Sequence, residues 1–294
     1  MPELPDVEVY VERLADLLAG HTLQRLTLLN PFLLRTVDPP KEAFNGKRLR
    51  GTRRIGKRVV LEFDADLSAV LHLMIAGRLR WIAAGKKAPG RISLATFEFD
   101  HGVLVLTEAG SKRRASLHLV RGASALAAFD PGGVELKRIT LDEFKETLTH
   151  ENHTLKRALT DPHAFAGIGN AYSDEILFRA KLSPLALTQN LKDAEIARLF
   201  DACRDVLDEW TTRLREQAGA ALPENVTAFR PEMAVHGKYG QPCPVCGSPV
   251  QRIVYAENET NYCARCQTGG KLLADRSLSR LLHASWPRSI DELG

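Results

Sequence analysis

Four of the five cysteines fall in one short stretch, CPVCGSPVQRIVYAENETNYCARC, as Cys243, Cys246, Cys263 and Cys266. The pattern is C-x2-C-x16-C-x2-C. Each close pair can bite one ion from a turn, and a hairpin in the spacer brings the two pairs together. Four thiolates make a closed tetrahedral shell, which suits one structural zinc ion and leaves no open position for catalysis. Binding would contribute roughly 10–16 kcal/mol to folding so small a ribbon. A redox CxxC role is the alternative, and two pairs at hairpin spacing argue against it. The fifth cysteine, Cys203, lies in a long helical stretch and reads as a packed core thiol.

The odd cysteine count also speaks against a secreted disulfide framework. The first residues are acidic and no apolar segment follows, so no signal peptide is expected. The longest apolar stretches, such as LTLLNPFLL at 26–34, are too short and too interrupted to span a bilayer. These features predict a soluble protein of a reducing compartment. At 294 residues and 44% hydrophobic content, the chain can build two modest domains or one large one with an appendage.

Periodicity divides it. DVEVYVERLADLLAG (6–20) reads as an amphipathic helix with Val7, Tyr10, Leu14, Leu17 and Leu18 on one face, Asp6 as its N-cap and Gly20 at its C-terminal end. From there to about 120 the period is mostly two, in TLQRLTLL, RVVLEFD, SAVLHLM, RISLATFEFD and VLVLTE, which predicts a β-sandwich. From about 139 to 220 the segments LDEFKETL, TLKRALTD, NAYSDEILFRAKL and DAEIARLFDACRDVLDEWTTRLREQAG are helical. The glycine-bearing FAGIGNAY (165–172) between two of them can present backbone N–H groups to a phosphate, or can simply let helices pack closely.

The net charge of +4 is mild but unevenly spread. KEAFNGKRLRGTRRIGKR (41–58) carries eight Lys and Arg against one Glu, and SKRR follows at 111–114. One such cluster is as easily a solvated face. Two in the same half favour a polyanion partner, nucleic acid being the commonest. The terminus adds chemistry. In MPELPDVE, a small second residue usually allows Met1 to be trimmed, leaving Pro2 as a secondary amine beside the Glu3 carboxylate: a nucleophile with a proton-transfer partner. An α-amine near pKa 7.7–8.0 is also more often neutral than a lysine near 10.4.

PELPDVE, the lysine of RRIGKRVVLEF, GIGNAYSDE and the four-cysteine ribbon occur in that order. Together they resemble the formamidopyrimidine-DNA glycosylase/endonuclease VIII family over residues 2 to about 267. The resemblance implies an α+β multidomain fold: an N-terminal catalytic β-sandwich domain (1–130), a helix–two-turn–helix DNA-binding domain (139–222), a zinc finger (232–268) and a C-terminal extension (269–294). It implies a base-excision repair glycosylase and abasic-site lyase acting on damaged DNA as a monomer, with no membrane partner, in the bacterial cytoplasm at the nucleoid. Pro2 would be the nucleophile that forms a Schiff base, Glu3 the proton shuttle and Lys57 a phosphate-contacting catalytic aid. Lys156 and Asn170 would contact phosphates without reading sequence.

The chain departs from the family pattern at several places. Ile75, beside Met74, stands where a void-filling methionine is expected. TEAGSKRRASL replaces an arginine–phenylalanine wedge, leaving Arg113 or Arg114 to enter the gap. Asn258 stands five residues before Cys263 in place of an arginine, which removes a bidentate phosphate clamp. The loop GAALPENVTAFRPEMAVHGKYG is shorter than the family's 8-oxoguanine-capping segment, and the tail reads as a short amphipathic helix plus a Trp–Pro turn. The alternative function is a catalytically weak, lesion- or structure-specific DNA-binding protein on the same scaffold.

Overall fold

The computed structural model describes residues 1–110, 112–223, 229–255, 258–274 and 287–293. The expected tail helix, the Trp–Pro turn at Trp286 and part of the loop after the long helix lie outside them. Two compact units emerge: Met1–Pro131 with Trp210–Thr227, and Gly132–Glu209 with Ala228–Gly294.

The first unit opens with helix α1, Leu4–Leu18, which begins two residues earlier than the sequence predicts. Glu3 is its N-cap and Asp6 takes the third helical position, where its Oδ2 accepts the Glu3 N–H at 3.0 Å. Pro5 falls in the first turn, where a missing N–H costs nothing, so the proline does not delay the start. Asp6 therefore closes a capping box rather than serving as the N-cap. The predicted apolar face holds, with Val7, Tyr10, Leu14 and Leu18 fully buried and Leu17 partly so.

Eight antiparallel strands follow: β1 Thr22–Leu28, β2 Lys47–Ile55, β3 Arg58–Phe63, β4 Leu67–His72, β5 Gly77–Ala83, β6 Ser93–Phe99, β7 Gly102–Glu108 and β8 Ser116–Arg121. Their order is β5-β7-β6-β1-β2-β3-β4-β8. The seam between β1 and β2 is only two residue pairs, Thr22↔Arg48 and Leu23↔Lys47. The sheet folds there into a sandwich whose layers meet over Leu26, Phe97, Leu104 and Leu106 on one side and Val59, Leu61, Leu71 and Leu119 on the other. The short helix α2, Ala123–Ala127, covers the outer face of β3 and β4, where Val60, Val70 and Val120 pack on Leu126 and Phe129. Burial on both faces erases the alternation expected of a half-exposed strand.

Three strands, β2, β5 and β8, are not among those the periodicity picks out. In β2 the arginines mask the signal. Its outward positions carry guanidinium groups that are stabilised by carboxylates on neighbouring elements, so a strand reads as a charge run.

In the second unit, Thr140 and Glu143 form a capping box for α3, Leu141–Thr149. Helices α4 (Leu155–Thr160) and α5 (Asn170–Arg179) flank the glycine-bearing turn, and α6 (Asp193–Ala218) is the long predicted helix, its last turns counted with the first unit. Cys203 sits fully buried on α6, and burial pushes its thiol upward in pKa. Beyond lie a hairpin of β9 (Gln251–Tyr255) and β10 (Asn258–Tyr262), then α7, Ala264–Thr268. This is the α+β arrangement of sandwich, helix–two-turn–helix region and metal ribbon. Among the described residues, no helix is long and apolar enough to cross a membrane.

Candidate active site and nucleic-acid interface

The capped start of α1 holds the first residues in the protein interior. Pro2 is buried and Glu3 is 2% exposed. The α-amino group, on Met1, is itself largely desolvated, which lowers its pKa below the ordinary 8.0. Glu3 and Asp6 oppose that shift, while Arg78 and Lys57 reinforce it. The fold thus gathers Glu3, Lys57 and Arg78 within electrostatic reach of the terminal amine, from three separate elements. An amine with a lowered pKa keeps more of its lone pair available at neutral pH, which is what a nitrogen nucleophile requires.

Lys57 reaches this position from a two-residue turn. Ile55 and Arg58 form the last pair of the β2–β3 hairpin, and Gly56 adopts φ +55°, a left-handed conformation for which glycine pays no Cβ penalty. Arg54 braces the turn by donating to the Gly56 carbonyl at 2.8 Å. Arg78 is a residue that sequence reasoning missed. It follows Gly77 in β5 and donates to the Ile75 and Gly77 carbonyls at 3.1 and 2.6 Å. Its only sequence signal is its place in HLMIAGRL, the stretch singled out for Ile75.

Ile75 is 58% exposed at the tip of the β4–β5 turn, and the adjacent Met74 is held at φ +51°. Arg113 and Arg114 are exposed on the loop after β7. That loop hangs from Glu108, a 1%-exposed carboxylate that accepts the backbone N–H groups of Arg114 and Ala115 at 3.0 and 3.1 Å. Arg113 also donates to the Arg91 carbonyl at 2.5 Å.

The basic run at 41–58 is less available than its composition implies. Arg50 pairs with Asp64 at 2.5 Å, Arg53 with Glu62 at 2.8 Å and Arg54 with Glu8 at 3.0 Å. Arg48 donates to the Gly20 carbonyl, and Arg58 to that of Phe129. Several of its cations therefore serve the sandwich.

In the second unit the structure brings Lys156, Asn170 and the β10 strand together. The Lys156 ammonium donates to the Asn170 carbonyl and to Asp174 Oδ1, both at 2.6 Å, and the Asn170 side-chain amide donates to the Glu259 carbonyl at 2.8 Å. Asn258, exposed, is the residue before it. The organiser of this region was not legible in sequence. Asp174 Oδ2 accepts the Asn261 N–H at 3.1 Å and contacts His236 Nδ1 at 2.8 Å. Neighbouring Glu175 accepts three successive backbone N–H groups, from Ala234, Val235 and His236. Burial nevertheless pushes the Glu175 carboxyl upward in pKa against the pull of those bonds. The adjacent acids Asp174 and Glu175 stand in GIGNAYSDE, but nothing in that stretch marks them as buried.

The four predicted cysteines converge as expected, with their sulfurs all within 4.8 Å of one another. Cys246 and Cys263 sulfurs lie 3.4 Å apart, and those of Cys243 and Cys266 3.9 Å. A tetrahedral zinc with sulfur ligands at about 2.3 Å spaces them by about 3.8 Å, so the donor set fits one structural zinc ion with little rearrangement.

Comparison with known proteins follows the same division. Residues 1–117 match the formamidopyrimidine-DNA glycosylase N-terminal domain, 130–216 the formamidopyrimidine-DNA glycosylase H2TH domain, and 240–269 the zinc finger found in FPG and IleRS. A formamidopyrimidine-DNA glycosylase of Aromatoleum aromaticum is 33% identical over 278 residues, covering 91% of this chain and 99% of that protein. One from Thermus thermophilus is 31% identical, covering 92% and 100%. A solved complex of Lactococcus lactis Fpg with abasic-site DNA superposes with a TM-score of 0.81 at 26% identity, over 90% of this chain and 99% of that one.

Proposed function

This chain belongs to the formamidopyrimidine-DNA glycosylase family, and we propose that it is a base-excision repair enzyme, a DNA glycosylase with abasic-site lyase activity that uses Pro2 as its nucleophile. The observation that carries the proposal is the setting of the terminus: the Met1 α-amine is desolvated beside buried Pro2, with Glu3, Lys57 and Arg78 within electrostatic reach. With Met1 removed, the Pro2 nitrogen attacks C1′ of the damaged nucleoside and the C1′–base bond breaks, its electron pair leaving with the base. Glu3 protonates the ring oxygen as the sugar opens, which leaves an iminium between Pro2 and C1′. Being permanently charged, that iminium accepts the C2′–H bonding pair as the C2′ proton passes to the Glu3 carboxylate, and the resulting enamine pair forms the C2′=C3′ bond as the 3′ phosphate departs with the C3′–O pair. A second elimination releases the 5′ phosphate.

Lys57 and Arg78 supply positive charge for the flanking phosphates in this reading, and Lys156 with Asn170 holds the backbone through a separate contact. The damaged base leaves the stack, at a cost of a few kcal/mol, and Ile75 with Arg113 or Arg114 fills the gap. The shortened loop and the missing aromatic wedge favour oxidised pyrimidines or bare abasic sites over 8-oxoguanine. Residues 1–130 act as the catalytic domain, 139–222 and 232–268 as the DNA-binding parts and 269–294 as an extension of a soluble monomer working in the bacterial cytoplasm.

Borohydride reduction on duplex DNA containing an abasic site tests the mechanism. The cross-link is expected at Pro2. Retaining Met1 or acetylating the terminus should abolish it. Glu3→Gln should lose base excision far more than cleavage of a preformed abasic site, which has no glycosidic bond left to break. An adduct on Lys57 in a protein that stays active with a blocked terminus would overturn the Pro2 assignment. Tight lesion binding without any adduct would favour the DNA-binding alternative.

A further inference from the structure

At the far end of α1, roughly 22 Å along the helix from the terminus, three solvent-accessible side chains converge that the proposed reaction does not use. His21 Nδ1 lies 2.7 Å from Asp100 Oδ1, and His101 Nδ1 lies 2.9 Å from the same oxygen. The two imidazoles stack with ring centres 3.7 Å apart. All three ligand atoms fall within 4.8 Å of one another, and their side chains are 33–42% exposed, open to solvent.

The hydrogen bonds of His101 fix its orientation in the cluster. Its Nε2 lies 3.0 Å from the Leu17 carbonyl, an acceptor with no proton to give, so Nε2 carries the N–H. Its Nδ1 then faces the Asp100 carboxylate oxygen at 2.9 Å, a position that a ring proton or a metal ion can serve. A ring nitrogen donating to a backbone carbonyl while the other faces a ligand site is also the usual arrangement of a metal-bound histidine, because that bond fixes tautomer and ring orientation.

We propose that His21, Asp100 and His101 form a second metal site, separate from the cysteine ribbon, for a divalent transition ion of the zinc or nickel class. With metal–nitrogen and metal–oxygen distances of about 2.0–2.2 Å, donor separations of 2.7 and 2.9 Å subtend about 80–90° at the ion. Two imidazoles and one carboxylate then occupy one face of a five- or six-coordinate ion, with water completing the shell. Its supports are backbone-fixed. Asp100 and His101 form the turn between β6 and β7, Asp100 Oδ2 accepts the Thr22 N–H at 3.3 Å, and His101 holds a carbonyl at the end of α1. The ion would staple that helix end, through Leu17 and His21, to the β6–β7 turn. Arg48, which lies against Gly20 beside His21, adds a like charge that keeps the site weaker than the ribbon's.

The test is calorimetric titration of zinc chloride into full-length protein already carrying its ribbon zinc, with thermal unfolding followed alongside. Wild type is expected to take up a second, weaker equivalent. Zinc at about a hundredfold over its dissociation constant should raise Tm by roughly 5–10 °C. The variant His21→Ala/His101→Ala should keep its ribbon zinc while losing both the second equivalent and the zinc-dependent shift. Its own Tm before zinc is added serves as the baseline, so any structural effect of removing the rings cancels. Asp100→Asn, which preserves shape and an acceptor oxygen, should weaken uptake at least tenfold. No second equivalent in wild type, or an undiminished one in the double histidine variant, would mean that a proton alone bridges His101 and Asp100, and the metal site would be wrong.

Discussion

Asp174→Asn removes one negative charge from a site with no solvent to screen it: Asp174 is 0% exposed and its partner Lys156 13%. The wild-type carboxylate takes Lys156 on Oδ1 at 2.6 Å, and the Asn261 N–H and His236 ring on Oδ2. Asparagine keeps a single acceptor oxygen. If it faces Lys156, the new NH2 opposes the Asn261 N–H; if it is flipped, the NH2 opposes an ammonium. Either way one buried donor is unmatched, costing about 1–3 kcal/mol, and a charge-assisted bond of about 1.5–3 kcal/mol is lost. The sum, about 2.5–6 kcal/mol, brackets the roughly 3–5 kcal/mol usual for breaking a buried ion pair from one side. Lys156→Met leaves the opposite charge stranded, so the double variant should be less damaged than the two single effects added, by about 1–3 kcal/mol. Urea unfolding of the zinc-loaded proteins by far-UV circular dichroism gives the stabilities. Zinc release to a chelator should quicken in Asp174→Asn, because Asn261, held by that carboxylate, precedes Cys263 by two residues. A loss below about 1 kcal/mol, or strict additivity in the double variant, would refute this account of the network.

Metal analysis should find one tightly held zinc in protein purified without added metal, and Cys243→Ser should lose it together with DNA affinity; a folded, active preparation with well under one zinc per chain would contradict the ribbon. The logarithm of DNA affinity should fall with the logarithm of salt by about 0.9 per phosphate neutralised, so Lys57→Met should flatten the slope by about one. Arg53→Gln should change it little, because Arg53 is already paired with Glu62; equal effects of the two would remove that distinction. Burial lowers the terminal amine's pKa, so the folded state binds fewer protons there than the unfolded chain. Removing Met1 places the Pro2 nitrogen at the terminus beside Glu3, Lys57 and Arg78, so the borohydride trapping rate should rise with pH as that amine loses its proton, and a rate that does not change with pH would argue against an amine nucleophile. Excision of 8-oxoguanine opposite cytosine should be weak beside abasic-site cleavage, and efficient release of that base would reverse the proposed preference.

What could be read from the chain directly is what local chemistry encodes. The cysteine pairs announce their site because two residues between ligands already set the bite of a turn. The buried face of α1 follows from 3.6-residue periodicity. Where partners lie far along the chain, the sequence is silent. β2 reads as a polyanion-binding run because the acids that neutralise Arg50, Arg53 and Arg54 stand on β3, α1 and a neighbouring turn. Arg78 comes near the terminal amine only when β5 takes its place in the sandwich. Asp174 meets Lys156, His236 and Asn261 across separations of 18, 62 and 87 residues. His21 meets Asp100 across 79. A side chain's type is carried by its own codon, but its desolvation and its charge partners belong to the packed structure, and those set whether an arginine is a brace or a phosphate contact and whether an amine is a base or a cation.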